Sequence, residues 1–238
     1  MSAKTPKIRE ADKAAEVDRF LTKLAATPAV KQPNAVGRLI FALDATMSRQ
    51  PAWDRACQIQ AEMFSEADRI GGLEIQLIYF RGFRECKASK WMDDSGKLLK
   101  AMTRITCQGG YTQIQRVLRR AIKEAQQGPV HALVYVGDCV EEEIDPLCDL
   151  AGELGLQGVP AFMFQEGSDA YATNAFKEIA RLTGGAWCRF DTNSPQQLRD
   201  LLKAVAVYAA GGYKVLADYG KSQGGEVLRL AQLMDKSS

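Results

Sequence analysis

The chain has 238 residues, with 31 basic and 29 acidic side chains and a formal net charge of +2. That length supports one large domain with extensions and a core that needs no staples, and the charge balance excludes a general pull toward nucleic acid or membrane. The cysteines at 57, 86, 107, 139, 148 and 188 form no C-x-x-C pair, which removes the spacing of zinc and redox motifs and leaves reduced thiols used as small apolar residues.

The N-terminus has no apolar leader region, and no uninterrupted apolar stretch approaches the ~20 residues of a membrane span. The expected location is cytoplasmic. Residues Lys7 to Ala26 read as an amphipathic helix, with Val17, Phe20, Leu21 and Leu24 on one apolar stripe. Its expected role is to pack on the domain body, with a partner-binding arm as the alternative. Thr27 to Asn34 holds two prolines and reads as a linker.

The run Arg38-Leu-Ile-Phe-Ala-Leu-Asp44 follows Gly37 and ends in a carboxylate, with hydroxyls at Thr46 and Ser48. It reads as a buried strand with Asp44 at its C-terminal end, where open α/β sheets bind ligands. A carboxylate and two hydroxyls offer hard oxygen donors, which suit Mg²⁺ or Mn²⁺ and suit zinc poorly. A helix follows, from Pro51 through Trp53, Met63 and Phe64 to the Gly71-Gly72 stop. Leu73 to Phe80 is a second strand, and Phe83 to Trp91 a third that the short Arg81-Gly82 turn forces to run antiparallel. Asp94 to Met102 is a short helix, Thr103 to Tyr111 a loop with paired glycines, and Thr112 to Gln127 a strongly periodic helix.

The fourth strand, Val130 to Asp138, ends in a second carboxylate. Glu141, Glu142 and Glu143 then suit a helix start, and that helix runs to Leu156. A strand over Val159 to Phe164, a helix over Ala170 to Leu182, a strand over Ala186 to Phe190 and a helix over Pro195 to Ala210 complete the alternation. Strands alternating with helices mean right-handed crossovers and a mainly parallel sheet covered on both faces. Beyond Gly211-Gly212 the tail ends in a short apolar helix, which needs a docking surface to be stable.

From Arg38 to Gly211 the chain resembles the von Willebrand factor type A (VWA) family, and within it a stand-alone, cytoplasmic, bacterial-type member. The family's metal-ion-dependent adhesion site (MIDAS) has the pattern D-x-S-x-S, then a distant Thr, then a distant Asp. Asp44, Thr46, Ser48, Thr112 and Asp138 match it in order, with Thr46 in place of a Ser, and with Gly137 before the second Asp and Cys139 after it. The resemblance implies a Rossmann-like doubly wound sheet, mainly parallel with one antiparallel edge strand, strand order 3-2-1-4-5-6 and helices on both faces. It also implies domain bounds of 1–34 for an N-terminal helical extension and linker, 35–211 for the VWA domain and 212–238 for a C-terminal helical tail.

On this reading Thr46 and Ser48 coordinate Mg²⁺ (or Mn²⁺, with Ca²⁺ as a further candidate) through hydroxyls. Asp44 and Asp138 hold it through bound waters, and Thr112 binds directly or through water. The position left open takes an Asp or Glu of a protein partner. Neither nucleic acid nor membrane is expected as a partner, and oligomeric state is not legible. Arg49, Phe80, Arg81, Phe83 and Arg84 are the candidate partner-binding rim, since interfaces concentrate Arg and aromatics. The acids 141–143 either flank the ion or supply the open ligand from within.

The enzyme alternative is a metal-dependent phosphoester hydrolase. It lacks the second Asp of a D-x-D pair, because Thr46 stands there. Ser95-Gly96-Lys97 lacks P-loop spacing. His131, the only histidine, falls about 20 Å from Asp138 along the strand, and Cys139 has no base in sequence reach. The chain is therefore read as a binding module rather than an enzyme, with an adaptor carrying a vestigial metal site as the third reading.

Overall fold

The structure, a computed structural model, describes residues 10–27, 36–49, 72–190 and 198–210. The expected helix after Pro51, most of the Thr27–Asn34 linker and the tail beyond 211 lie outside the described residues.

Strand β1 (Gly37–Asp44) is buried at every position except the half-buried Arg38, because neighbours flank it on both sides. It pairs in parallel with β2 (Leu73–Arg81) and with β4 (Ala132–Gly137). Beyond β4 lie β5 (Ala161–Glu166) and β6 (Ala186–Phe190), also parallel. The short β3 (Glu85–Ala88) runs antiparallel on β2. The spatial order is β3-β2-β1-β4-β5-β6. Chain direction reverses its lateral progress at β1 and β4, and the cleft between their C-terminal ends is the switch point where such sheets bind ligands.

Side-chain alternation along the strands divides the core in two. On one face Leu39, Phe41, Val134, Phe162 and Phe164 meet α1 (Glu10–Ala26), α2 (Ser95–Met102) and a helix over 198–210, here α6. On the other, Ile40, Ala42, Ile78, Phe80, Tyr135 and Met163 meet α3 (Ile114–Gln127), α4 (Ile144–Leu156) and α5 (Ala170–Leu182). The expected apolar stripe of α1 is fully used. Val17, Phe20, Leu21 and Leu24 are buried, and the Phe20 ring lies 5.9 Å from Phe162 and 5.2 Å from Phe164. Arg189 of β6 donates to Glu16 at 3.0 Å. The described part of the N-terminal extension is thus built into the domain core.

Boundaries shift where local chemistry intervenes. The third strand, expected from Phe83 to Trp91, shrinks to four residues because Gly82 turns the chain at φ +59° and because a bulge breaks the ladder beyond Ala88. Ser89 accepts the Leu77 N–H on its hydroxyl at 3.0 Å. Pairing resumes at Met92 opposite Ile75, one residue out of the register set by Ile78 and Ala88. The periodic helix begins at Ile114 rather than Thr112, β4 begins at Ala132 rather than Val130, and β5 continues to Glu166 rather than ending at Phe164.

Candidate metal centre

Asp44 closes β1 and is 1% exposed. Its Oδ1 accepts the Thr46 N–H at 2.8 Å, a local turn that fixes the carboxylate against its own loop. That loop passes into a short 3-10 turn, Met47–Arg49, and brings the Thr46 and Ser48 hydroxyl oxygens to 3.1 Å from each other. The loop is anchored on both sides by backbone hydrogen bonds. Ala45 N–H donates to Phe80 C=O at 3.0 Å, and Gln108 N–H donates to Ala45 C=O at 3.1 Å.

Asp138 follows the last residue of β4. Single oxygens of Asp44 and Asp138 and the Cys139 sulfur all lie within 4.8 Å of one another. Oxygens that share one hydrated Mg²⁺ or Ca²⁺ lie within a few ångströms of each other, and the two strand ends bring theirs within that range. Asp138 Oδ1 is buried with no hydrogen-bond partner among the described residues, which is costly for a carboxylate unless a cation or its water meets it. The oxygen donors therefore fit a divalent ion. Cys139 adds a sulfur beside them that is no thiolate. Burial first, then the Asp138 and Asp44 charges, push its pKa up, so the neutral thiol is held.

Thr112 is 4% exposed and sits just ahead of α3. Its N–H donates to Glu141 at 2.9 Å, and its hydroxyl accepts the Glu141 N–H at 2.9 Å. This reciprocal pair ties the Thr112 segment to the loop that carries Asp138. A second tie runs the other way. Gly110 packs so closely on Gly82 that a Cβ there would stand 1.9 Å from the Gly82 carbonyl oxygen, and Gly82 C=O accepts the Tyr111 N–H at 3.3 Å. Only a glycine allows that approach. The three ligand-bearing loops are thus fastened to one another at a single end of the sheet.

The acids after Asp138 have specific places. Glu142 accepts the N–H groups of Ile114 and Gln115, the latter at 2.9 Å, and so caps α3, whose own N-cap residue Gln113 makes no side-chain capping bond. Glu143 holds the N-cap position of α4 without a side-chain capping bond. Two of the three acids expected to start their own helix instead hold the Thr112 segment and α3.

The expected rim separates. Phe80 is 0% exposed and stacks on Tyr135 at 6.3 Å; it shares the buried face of β2 with Ile78, so it is a core residue and not a rim residue. Arg81 bridges to Glu85 at 3.0 Å and donates to the Thr106 carbonyl at 2.7 Å, which makes it a tie between loops. Phe83 is 71% exposed and meets Tyr111 edge-on at 5.4 Å. Arg84 is exposed, and its carbonyl accepts from Arg116. Arg49 closes the 3-10 turn after Ser48; its side chain lies outside the described residues.

Sequence reasoning missed Met47 and Tyr111, both exposed, and Tyr171, exposed at the first turn of α5 with its hydroxyl donating to Glu142 C=O at 3.1 Å. For Met47 and Tyr111 the available signal was position: large apolar residues next to ligands and outside any periodic segment. His131 is where spacing put it, at the N-terminal end of the sheet, its Nδ1 accepting the Arg38 N–H at 2.9 Å. Among the described residues no helix is long and apolar enough to cross a membrane.

No family model and no curated protein matches the sequence. Solved structures do match in fold. An aerotolerance-related membrane protein from Bacteroides fragilis, bearing multiple mutations to serine, superimposes with a TM-score of 0.54 at 17% identity, covering 70% of this chain and 98% of that one. The SpRpn10 VWA domain gives 0.56 at 15% identity, covering 71% and 94%. A von Willebrand factor type A structure from Catenulispora acidiphila gives 0.58 at 15% identity, covering 73% of this chain and 43% of that one. At these identities the likeness establishes the fold, which is VWA-like.

Proposed function

We propose that this protein is a divalent-cation-dependent protein-binding module. Asp44, Thr46, Ser48, Thr112 and Asp138 would hold a Mg²⁺ ion, with Mn²⁺ or Ca²⁺ able to substitute. When bound, the ion supplies a positive charge with an open coordination position, matched to an Asp or Glu side chain of a partner.

The observation that carries this reading is the company the carboxylates keep. Met47, Phe83, Tyr111 and Tyr171 are large, exposed and apolar, and all four lie on the loops and helix start at the sheet end that bears Asp44 and Asp138. A polar centre with exposed aromatic and Met side chains on the loops at the same sheet end has the make-up of a protein-binding surface. Met47 directly follows Thr46, and Tyr111 directly precedes Thr112, so a partner gripping these two side chains also covers the centre. The net charge of +2 favours a protein over nucleic acid as that partner. The thiols of Cys86, Cys139 and Cys148 are not in disulfides and suit a reducing, cytoplasmic setting.

The test is capture of a partner from lysate on the immobilised full chain, in Mg²⁺ and in EDTA, with wild type, Asp44→Ala and Thr112→Ala. The expected result is a partner retained by wild type in Mg²⁺ and lost in EDTA and in Asp44→Ala. Thr112→Ala should keep metal affinity while weakening partner retention. Equal retention in every arm would mean that the partner never meets the ion, and the vestigial-site adaptor would replace this reading.

A further inference from the structure

Strand β4 carries Tyr135-Val136-Gly137 immediately before Asp138. Tyr135 lies opposite Ala42 of β1, and Val136 opposite Leu43. The next pair along the same register sets Gly137 beside Asp44, about 4.8 Å away across the sheet. Tyr135, Gly137, Ala42 and Asp44 therefore share one sheet face.

The Tyr135 ring is buried on that face, stacked on Phe80 at 6.3 Å and edge-on to Phe176 at 5.3 Å. A Cβ built on Gly137 would lie 2.6 Å from the Tyr135 hydroxyl oxygen and 2.8 Å from its Cε1. The phenol thus lies along its own strand, in the space a side chain at 137 would fill, with its hydroxyl reaching the row of Asp44. On the other flank of Asp44 the register partner is Phe80. The strands on both sides of Asp44 thus carry a buried aromatic residue on this face, and only Tyr135 has a hydroxyl.

That hydroxyl is buried and has no hydrogen-bond partner among the described residues. Packing alone would be served by Phe, and an interior hydroxyl without a partner is costly. As a phenol it can donate one hydrogen bond.

We propose that Tyr135 is a positioning residue of the cation site: its hydroxyl donates to the inner side of the Asp44–Asp138 carboxylate pair through one bound water, and orients that pair toward the ion. Gly137 is the residue that makes room for it. The inference rests on the metal reading above but concerns a residue that would not touch the ion. Groups that hydrogen-bond metal-ligating side chains from behind typically change affinity by about 10–100-fold when removed.

The test is a Mn²⁺ titration of the full chain by calorimetry for wild type, Asp44→Ala, Tyr135→Phe and Gly137→Ala, with melting of each protein in EDTA. Tyr135→Phe keeps the ring and removes the donor. Its Mn²⁺ dissociation constant is expected to rise about tenfold or more, with the metal-free melting temperature unchanged or higher. Gly137→Ala, which drives a methyl into the seat of the phenol, is expected to reproduce the loss of affinity. Equal affinity in wild type and Tyr135→Phe overturns the positioning role, whatever the melting temperature does. A wild type that takes up no Mn²⁺ overturns this inference and the metal reading together. Uptake that is lost in Asp44→Ala but untouched in Tyr135→Phe overturns the positioning role alone.

Discussion

Replacing Glu142 with Ala should destabilise a helix that Glu142 does not belong to. Its carboxylate accepts two of the orphan N–H groups at the start of α3, from Ile114 and Gln115, and α3 has no side-chain cap of its own. Loss of a helix cap costs about 1–2 kcal/mol, and loss of a negative charge at a helix N-terminus adds about 0.3–1 kcal/mol. The sum is about 2 kcal/mol, which for a domain of this size lowers the melting temperature by roughly 4–8 °C. Glu142→Gln keeps one acceptor oxygen and loses the charge, so about half the effect is expected. Glu143→Ala is the internal control: that side chain makes no capping bond, and its loss should stay within about 0.5 kcal/mol. The assay is calorimetric melting of all four proteins in EDTA, so that metal binding cannot mask the change. Glu142→Ala and Glu143→Ala melting together, within about 1 °C of wild type, would refute the cross-loop cap and with it the claim that the acids after Asp138 hold the Thr112 segment in place.

Three further outcomes are expected. Arg81 first, then Lys87, hold Glu85 down from 4.5 to about 2. Its folded pKa lies below the unfolded one, so its stabilisation is present above about pH 4.5 and disappears as pH falls toward 2. Because the cluster is partly exposed, that stabilisation is about 1 kcal/mol or less, and the gap in melting temperature between wild type and Glu85→Gln should close over that window; a gap that widens on acidification would contradict the sign. Cys139, whose pKa is raised by burial and then by Asp138 and Asp44, should alkylate more slowly at pH 8 than an ordinary thiol and faster in Asp138→Asn, read by peptide mass mapping; equal rates in both proteins would remove Asp138 as a cause. Phe20→Ala should cost about 3–5 kcal/mol, because its ring is buried against Phe162 and Phe164; a loss below about 1 kcal/mol would return α1 to the status of a detachable arm.

The sheet and its order were legible because β1, β4 and β5 carry continuous apolar runs, the mark of strands buried on both faces, and β2 carries a shorter one from Leu77 to Phe80. The site was legible in part for the same reason: Asp44 and Asp138 each stop such a run at its C-terminal end. What escaped was decided by contacts distant in sequence. The start of α3 is set by Glu142, 28 residues downstream, so periodicity alone placed it two residues early. The end of β3 is set by the Ser89 hydroxyl replacing a ladder bond to Leu77, which no propensity at Ser89 announces. Phe80 is the opposite case. Alternation with Ile78 already put it on an inward face, and grouping it with neighbouring arginines overrode a valid period-2 signal.

The account turns on Asp44, Thr46, Ser48, Thr112 and Asp138 serving a single cation. Its most direct test is Mn²⁺ binding to the full chain followed by electron paramagnetic resonance, for wild type, Asp44→Ala and Asp138→Ala. The predicted result is one site per chain in the wild type, competed by Mg²⁺ and abolished in each variant. Undiminished binding in both variants, or no saturable site in the wild type, would contradict it.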